Sequence, residues 1–300
     1  MKIPVSLLST YLYCPRKVFL ERVLRLNKPP RQPLVLGTIR HQALEEAAKA
    51  EEALVSSEVD GILSYDDILE IYKAQYLSLL RDVVQRHVPV LESLGMDPLD
   101  AYHRALPTLL REAETRTANL HRCMDSTKLA GRQLWDALTP KIRSEVAIDS
   151  DELHLTGIVD QIHETGDSMI PVELKTGKMP REGVWPGHRV QAAAYALLVG
   201  ERYGKAVPHA IVHYLDANEK RMIPMNPFMK DEIRMLVGEI MELMDNRLMP
   251  EFCSSRQKCA ACGLKRQCYD SSLMDSLIVA LREKVVRAGT PSAARWPAEG

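Results

Sequence analysis

Thr156-Gly157-Ile158-Val159-Asp160 and Val172-Glu173-Leu174-Lys175, joined through a turn at Thr165-Gly166-Asp167-Ser168, decide how this chain is read. Both outer segments are rich in β-formers and Gly-Asp suits a tight turn, so the pattern predicts a β-hairpin. With Gly166 and Asp167 at the centre of the turn, Thr165 pairs with Ser168. Counting outward without a bulge sets Asp160 opposite Glu173, with Cβ atoms roughly 5 Å apart on one face. Lys175, two residues on from Glu173, shares that face.

Two carboxylates this close repel unless a cation lies between them, and hard oxygen donors suit Mg²⁺ or Mn²⁺. Such an ion polarises a phosphodiester and lowers the pKa of a bound water. Lys175 is then placed to orient that water or to stabilise charge on the phosphate. A solvated surface hairpin can carry the same three residues, so the neighbours matter. Gly157 interrupts a run of β-formers, which predicts close approach of another segment. Gln191 and Tyr195 lie one helical turn apart on the next expected helix, positioned to reach the phosphate or orient the lysine. His41, in Gly37-Thr38-Ile39-Arg40-His41, is a further candidate ligand, since neutral imidazole can complete a carboxylate site.

Outward from the hairpin, strand patterns cover 142–148, 153–163, 169–175 and 206–215, and helical patterns 188–200 and 231–246. Toward the N-terminus, residues 5–26 predict two short helices broken at Cys14-Pro15. Pro29, Pro30 and Pro33 predict a linker, and a helix is expected over 38–54. Residues 64–138 read as all helical, with a capping motif at Ser64-Tyr65-Asp66-Asp67 and breaks at Pro89 and at Gly95-Met96-Asp97-Pro98. This block holds no catalytic motif. The expected divisions are an N-terminal segment 1–36, a mainly helical region 37–140, a catalytic core 141–250, a cysteine region 251–287 and a disordered tail 288–300.

Cys259-Ala260-Ala261-Cys262 with Cys268 forms C-x2-C-x5-C, a soft-metal pattern amid Lys258, Lys265 and Arg266 that favour thiolates. A four-thiolate site needs one more ligand, from Cys14, Cys123 or Cys253. Spacing leaves zinc and an iron–sulphur cluster both open.

Composition narrows the function class. A chain of 300 residues with 46% hydrophobic and 26% charged residues fits an ordinary globular protein, and 5% aromatic content argues against a many-ringed base-stacking platform. The longest apolar run, about 192–199, is too short to cross a bilayer, and residues 1–25 lack an apolar signal core. A cytoplasmic protein with no membrane partner is expected. Net charge is −1, but residues 1–40 carry eight Lys and Arg against Glu21, a local +7 suited to phosphate or to a solvated face.

Tyr13-Cys14-Pro15-Arg16-Lys17, Gly37-Thr38-Ile39-Arg40-His41, Gly157-Ile158-Val159-Asp160, Glu173-Leu174-Lys175-Thr176-Gly177-Lys178, Gln191 with Tyr195, and the three late cysteines occur in an order that resembles the CRISPR-associated protein four family of RecB-like PD-(D/E)xK nucleases. The resemblance spans nearly the whole chain. It implies a mixed α/β fold: a restriction-endonuclease-like core sheet flanked by helices, with a helical insertion. His41, Asp160, Glu173 and the Leu174 carbonyl would hold Mn²⁺ or Mg²⁺, and Lys175 would be the catalytic lysine. Gln191 and Tyr195 would contact DNA and support the site. Cys14, Cys259, Cys262 and Cys268 would hold a 4Fe–4S cluster that closes the N- and C-terminal regions into a ring around single-stranded DNA. The implied activity is exonuclease cleavage of single-stranded DNA, commonly from the 5′ end and sometimes with endonuclease cutting. It would act in CRISPR spacer acquisition beside the CRISPR integrase. The alternatives are a non-catalytic module binding DNA or the integrase, and a recombination-repair nuclease outside CRISPR. The 64–138 block exceeds what compact members need and leaves oligomeric state open.

Overall fold

A computed structural model of the chain describes residues 1–59 and 63–287, with side chains to 283, so the tail expected over 288–300 lies outside the described residues. Strand β1 (Ile3–Pro4) leads into helices α1 (Ser6–Tyr13) and α2 (Pro15–Val18), the latter running into a π-helical turn over Phe19–Val23. The break falls at Cys14, in extended backbone, with Pro15 at the first helical position where a missing N–H costs nothing. Helix α3 (Gln32–Glu58) starts earlier than the expected 38, because Pro33 sits in its first turn.

Helices α4 (Tyr65–Ser93), α5 (Pro98–Thr127) and α6 (Gly131–Ala137) form the helical block. Ser64 and Asp67 make the expected reciprocal capping box. Pro89 does not end α4, which runs on to Ser93. It comes less than two turns from the end, where α4 is already packed by Val83, Val84 and Leu91, and such packing outweighs one lost backbone bond.

The sheet contains β1, β2 (Lys141–Ser150), β3 (Leu155–Thr165), β4 (Ser168–Lys175), β5 (His209–Tyr214) and β6 (Glu219–Pro224). Antiparallel β2 pairs along almost all of β3, from Lys141↔Glu164 to Ser150↔Leu155, and so occupies one edge of it. The other edge is shared. Antiparallel β4 takes residues 161–165, and parallel β1 takes Leu155 and Thr156. Between these partners, no strand among the described residues pairs with residues 157–160 on that side. Strand β4 pairs parallel with β5 across helix α7 (Pro186–Tyr203), and β6 closes as an antiparallel edge that the strand patterning had not predicted.

Two cores sandwich the sheet. One includes Leu7, Val159, Ile162, Val190, Val212 and Ile240, from α1, α7, α8 (Phe228–Asn246) and the sheet. The other joins Ile39, Tyr72, Leu109 and Leu134 of α3–α6 to Val172, Leu174 and Leu215. A third cluster of Leu20, Leu264 and Met274 binds the N-terminal segment to α10 (Lys265–Cys268) and α11 (Ser271–Arg287), which follow α9 (Arg256–Ala261). Among the described residues no helix is long and apolar enough to cross a membrane.

Candidate active site and thiol pocket

The gap on the β3 edge is where the carboxylates gather. Thr165 pairs with Ser168 as the turn requires, and the ladder runs regularly to Gln161↔Val172. One step further, backbone pairing stops and the Asp160 side chain replaces it: Leu174 N–H donates to Asp160 Oδ2 at 2.7 Å. The strands therefore part where Asp160 and Glu173 face each other.

Glu173 is only 4% exposed. Its Oε1 accepts from Lys175 Nζ at 2.6 Å and from Gln191 Nε2 at 2.7 Å, and Lys175 also donates to Gln191 Oε1 at 3.0 Å. Its other oxygen, Oε2, is buried and has no hydrogen-bond partner among the described residues. Burial, reinforced by the Asp160 charge and only partly offset by Lys175 and His41, pushes the Glu173 carboxyl up to about 7. A carboxylate oxygen left bare in a buried site costs free energy unless something binds it, and a divalent cation is a ligand of the right hardness.

His41 reaches the site from α3, with Nδ1 3.7 Å from Asp160 Oδ1. Burial disfavours its protonated ring, but hydrogen bonding and charge from Asp160, with Glu173 behind it, outweigh that and raise its pKa. Gly37 lets α3 come this close: a Cβ there would stand 2.9 Å from Thr176 Oγ1, just after Lys175. The neighbouring Arg40 is ion-paired to Asp216, which also accepts the Gly177 N–H, so the segments flanking the site are tied together.

Gly157 meets the expectation of close approach. A Cβ there would lie 2.7 Å from the Tyr195 ring, which comes from α7 in the core packed on that face of the sheet. Tyr195 is 4% exposed. Burial, with the Glu173 and Asp160 charges, holds its hydroxyl firmly protonated and so a hydrogen-bond donor.

Glu145 went unnoticed in the sequence. It lies between the pairs Ser144↔Gln161 and Val146↔Val159, hence opposite Asp160, in left-handed backbone at φ 51°. Three carboxylates thus run across β2, β3 and β4. Burial, then the charges of Asp160 and Glu45, raise the Glu145 pKa. Its register does not follow from local pattern, because the strand patterning begins at 153 whereas the four residues between the paired Ser150 and Leu155 form the turn.

Most of the basic N-terminal run has partners within the chain. Lys2 pairs with Asp149 and Asp151, Lys28 with Glu21, and Arg16 and Arg31 donate to the carbonyls of Pro250 and Ala261.

Cys14, Cys253, Cys259, Cys262 and Cys268 line a single pocket with Arg16, Lys17 and Lys258. Cys268 Sγ accepts from Arg16 Nε at 3.3 Å, and Cys259 Sγ from the Tyr269 hydroxyl at 3.8 Å. Cys123 lies apart, against the helical core. Among the described residues, no three His, Cys, Asp or Glu side chains stand ready-made around one metal position, either here or at Asp160 and Glu173.

The chain matches the PD-(D/E)XK nuclease superfamily over residues 2–269. It is 30% identical over 152 residues to a CRISPR-associated exonuclease Cas4/endonuclease Cas1 fusion of Myxococcus xanthus, covering 49% of this chain and 27% of that one. Against the CRISPR-associated exonuclease Cas4 of Thermoproteus tenax it is 24% identical over 175 residues, 57% of this chain and 86% of the relative. Against the DNA replication ATP-dependent helicase/nuclease dna2 of Schizosaccharomyces pombe it is 24% identical over 262 residues, 85% of this chain. The chain spans about a quarter of the length of the first relative and about a sixth of the third. With a match reaching from β1 past the last cysteine, and an Asp and a Glu-x-Lys meeting where two strands part, this chain belongs to the PD-(D/E)XK nuclease superfamily.

Proposed function

We propose that the chain is a metal-dependent exonuclease of single-stranded DNA, directed from the 5′ end with some endonuclease cutting, that trims DNA for CRISPR spacer acquisition beside the integrase. The observation that carries the catalytic reading is the buried, partnerless Glu173 Oε2 beside Asp160 and His41. His41, Asp160, Glu173 and the Leu174 carbonyl would hold Mn²⁺ or Mg²⁺. The side chains do not yet surround one point, but the donors are hard and clustered, and two carboxylates with one lysine leave a residual negative charge that fits a divalent ion. When bound, the ion supplies polarisation of the phosphodiester and a more acidic water.

The chain's own groups do the rest. Gln191 and Glu173 both accept from Lys175 Nζ, so the lysine is held in place before any substrate arrives and would meet the scissile phosphate already ordered. Tyr195, kept protonated, donates to a phosphate oxygen or braces the lysine's support. The Cas4 names of two relatives support the CRISPR role, and the Cas1 portion of the Myxococcus fusion supports an integrase partner.

The thiol pocket fits a 4Fe–4S cluster held by Cys14, Cys259, Cys262 and Cys268. Arg16, Lys17 and Lys258, which line the same pocket, would complement the negative charge of a thiolate-held cluster. Its role would be to tie residue 14 to the C-terminal region.

The alignment to a replication helicase/nuclease over 85% of this chain supports a second reading, a repair or replication nuclease outside CRISPR. Adjacency of the gene to an integrase gene decides between the two.

The test is a product-length time course on single strands blocked at the 5′ or 3′ end, with and without Mn²⁺. Lys175→Ala is expected to abolish cutting, by at least about a hundredfold, while binding of the strand persists. Undiminished cutting by that variant, or equal cutting without metal, would refute the catalytic assignment.

A further inference from the structure

Five cysteines face a pocket that, read as a cluster site, needs four. The surplus is not remote. Cys14 and Cys253 line the same pocket, and the Cys259 thiol donates to the Cys253 carbonyl at 3.8 Å. Cys253 lies in the loop before α9, where Ser255 caps the helix by accepting the Lys258 N–H at 3.3 Å. Residues 253–268 therefore carry four thiols in the spacing C-x5-C-x2-C-x5-C, enough for a complete four-thiolate site within one short stretch. Cys14 reaches the same pocket from the other end of the chain, at the break between α1 and α2.

We propose that Cys14 and Cys253 are interchangeable fourth ligands, so that the tie between residue 14 and the C-terminal region can open without loss of the bound group. The inference rests on the reading of this pocket as a four-thiolate site. The exchange is a ligand substitution: the Cys253 thiol gives up its proton as its sulphur binds, and the departing Cys14 thiolate takes one. No electrons move, and no oxidant is required. With Cys14 bound, the chain is a closed ring. With Cys253 bound, the group stays with residues 253–268, and the N-terminal segment is joined to that region by non-covalent contacts, Arg16 to the Pro250 carbonyl at 2.8 Å and Leu20 packed with Leu264 and Met274.

The experiment uses the full chain, reconstituted anaerobically with ferrous iron and sulphide. Iron and acid-labile sulphide per chain are measured with the visible absorption. Cys14→Ser and Cys253→Ser are each expected to keep iron within about twofold of the parent, whereas the double variant and Cys262→Ser lose most of it. Emptying by Cys14→Ser alone, or retention by the double variant, overturns the proposal. A parent chain that takes up no iron, and no zinc either, sinks the four-thiolate reading itself, an outcome distinct from both. Because Cys14→Ser can fail to fold, the loaded parent is also alkylated and mapped by mass spectrometry. One thiol equivalent shared between Cys14 and Cys253 is the expected result, and label on Cys253 alone overturns the exchange.

Discussion

Glu173 must be an anion to bind a cation, in a place that disfavours anions. Its carboxyl is raised from 4.5 to about 7, so the folded chain holds that proton more tightly than the unfolded chain does. The stability this contributes is fully present below about pH 4.5 and is lost as pH rises through about 7. Without metal, the parent should therefore lose thermal stability between pH 5 and 8 relative to Glu173→Gln, by roughly 2–4 °C for each kcal/mol of difference. Added Mn²⁺ should raise the parent's melting temperature at pH 8 and leave that variant nearly unmoved. Parallel pH profiles for the two chains would count against the raised carboxyl. A second residue-scale outcome concerns Gly157. Gly157→Ala forces the Tyr195 ring away from a contact of 2.7 Å, so cutting should fall about tenfold or more while single-strand binding changes less. Unaltered kcat would mean that Tyr195 has room to retreat. At this scale the sequence was informative where chemistry and register coincide. Asp160, Glu173 and Lys175 follow from counting across one tight turn, and Gly157 from the oddity of a glycine among β-formers. Glu145 and Asp216 were hidden, because their meaning depends on a longer turn and on a strand end that local pattern does not fix.

Whole elements follow the same division. The hairpin, α7 and the capped start of α4 were readable because each carries a local signal: a turn dipeptide, helical spacing, a capping box. Strand β6 and the length of α4 past Pro89 were not, since both are settled by neighbours. The clearest tertiary device is equally silent in sequence. Glu51 of α3 and Arg116 of α5 form a buried bidentate pair at 2.6 and 2.8 Å, and the Tyr72 hydroxyl of α4 donates to the same carboxylate at 2.8 Å. Arg116 also donates to the Pro140 carbonyl at 3.2 Å, just before β2. The network joins α3, the helix that carries His41, to two helices of the insertion and to the start of β2. Arg116→Ala strands a buried carboxylate and should cost roughly 3–5 kcal/mol. Arg116→Met with Glu51→Leu should cost much less, since no charge is left alone. Urea denaturation midpoints compare them, and equal losses in the two would show that packing, not charge, holds the block.

On the scale of the molecule, the proposed catalysis would depend on a sheet that stays shut on both faces and open where two strands part. The two large cores close the faces, one under α1, α7 and α8, the other under α3–α6. The opening arises because β1 and β4 share an edge of β3 without meeting. The third core is small, contributed by Leu20, Leu264 and Met274, and it joins the two ends of the chain beside the thiol pocket. A cluster with three fully buried members and a partly exposed rim has little apolar area of its own, so this region should open before the sheet does. Leu264→Ala, at a fully buried position, removes roughly 2–5 kcal/mol from that region alone. Thermal melting of the variant should then show an early transition, with loss of protection of residues 253–283 against protease, followed by an unshifted main transition. One cooperative transition displaced as a whole would mean instead that the joined ends are part of the core that holds Asp160 and Glu173 in register, and that loosening the ring must loosen the site.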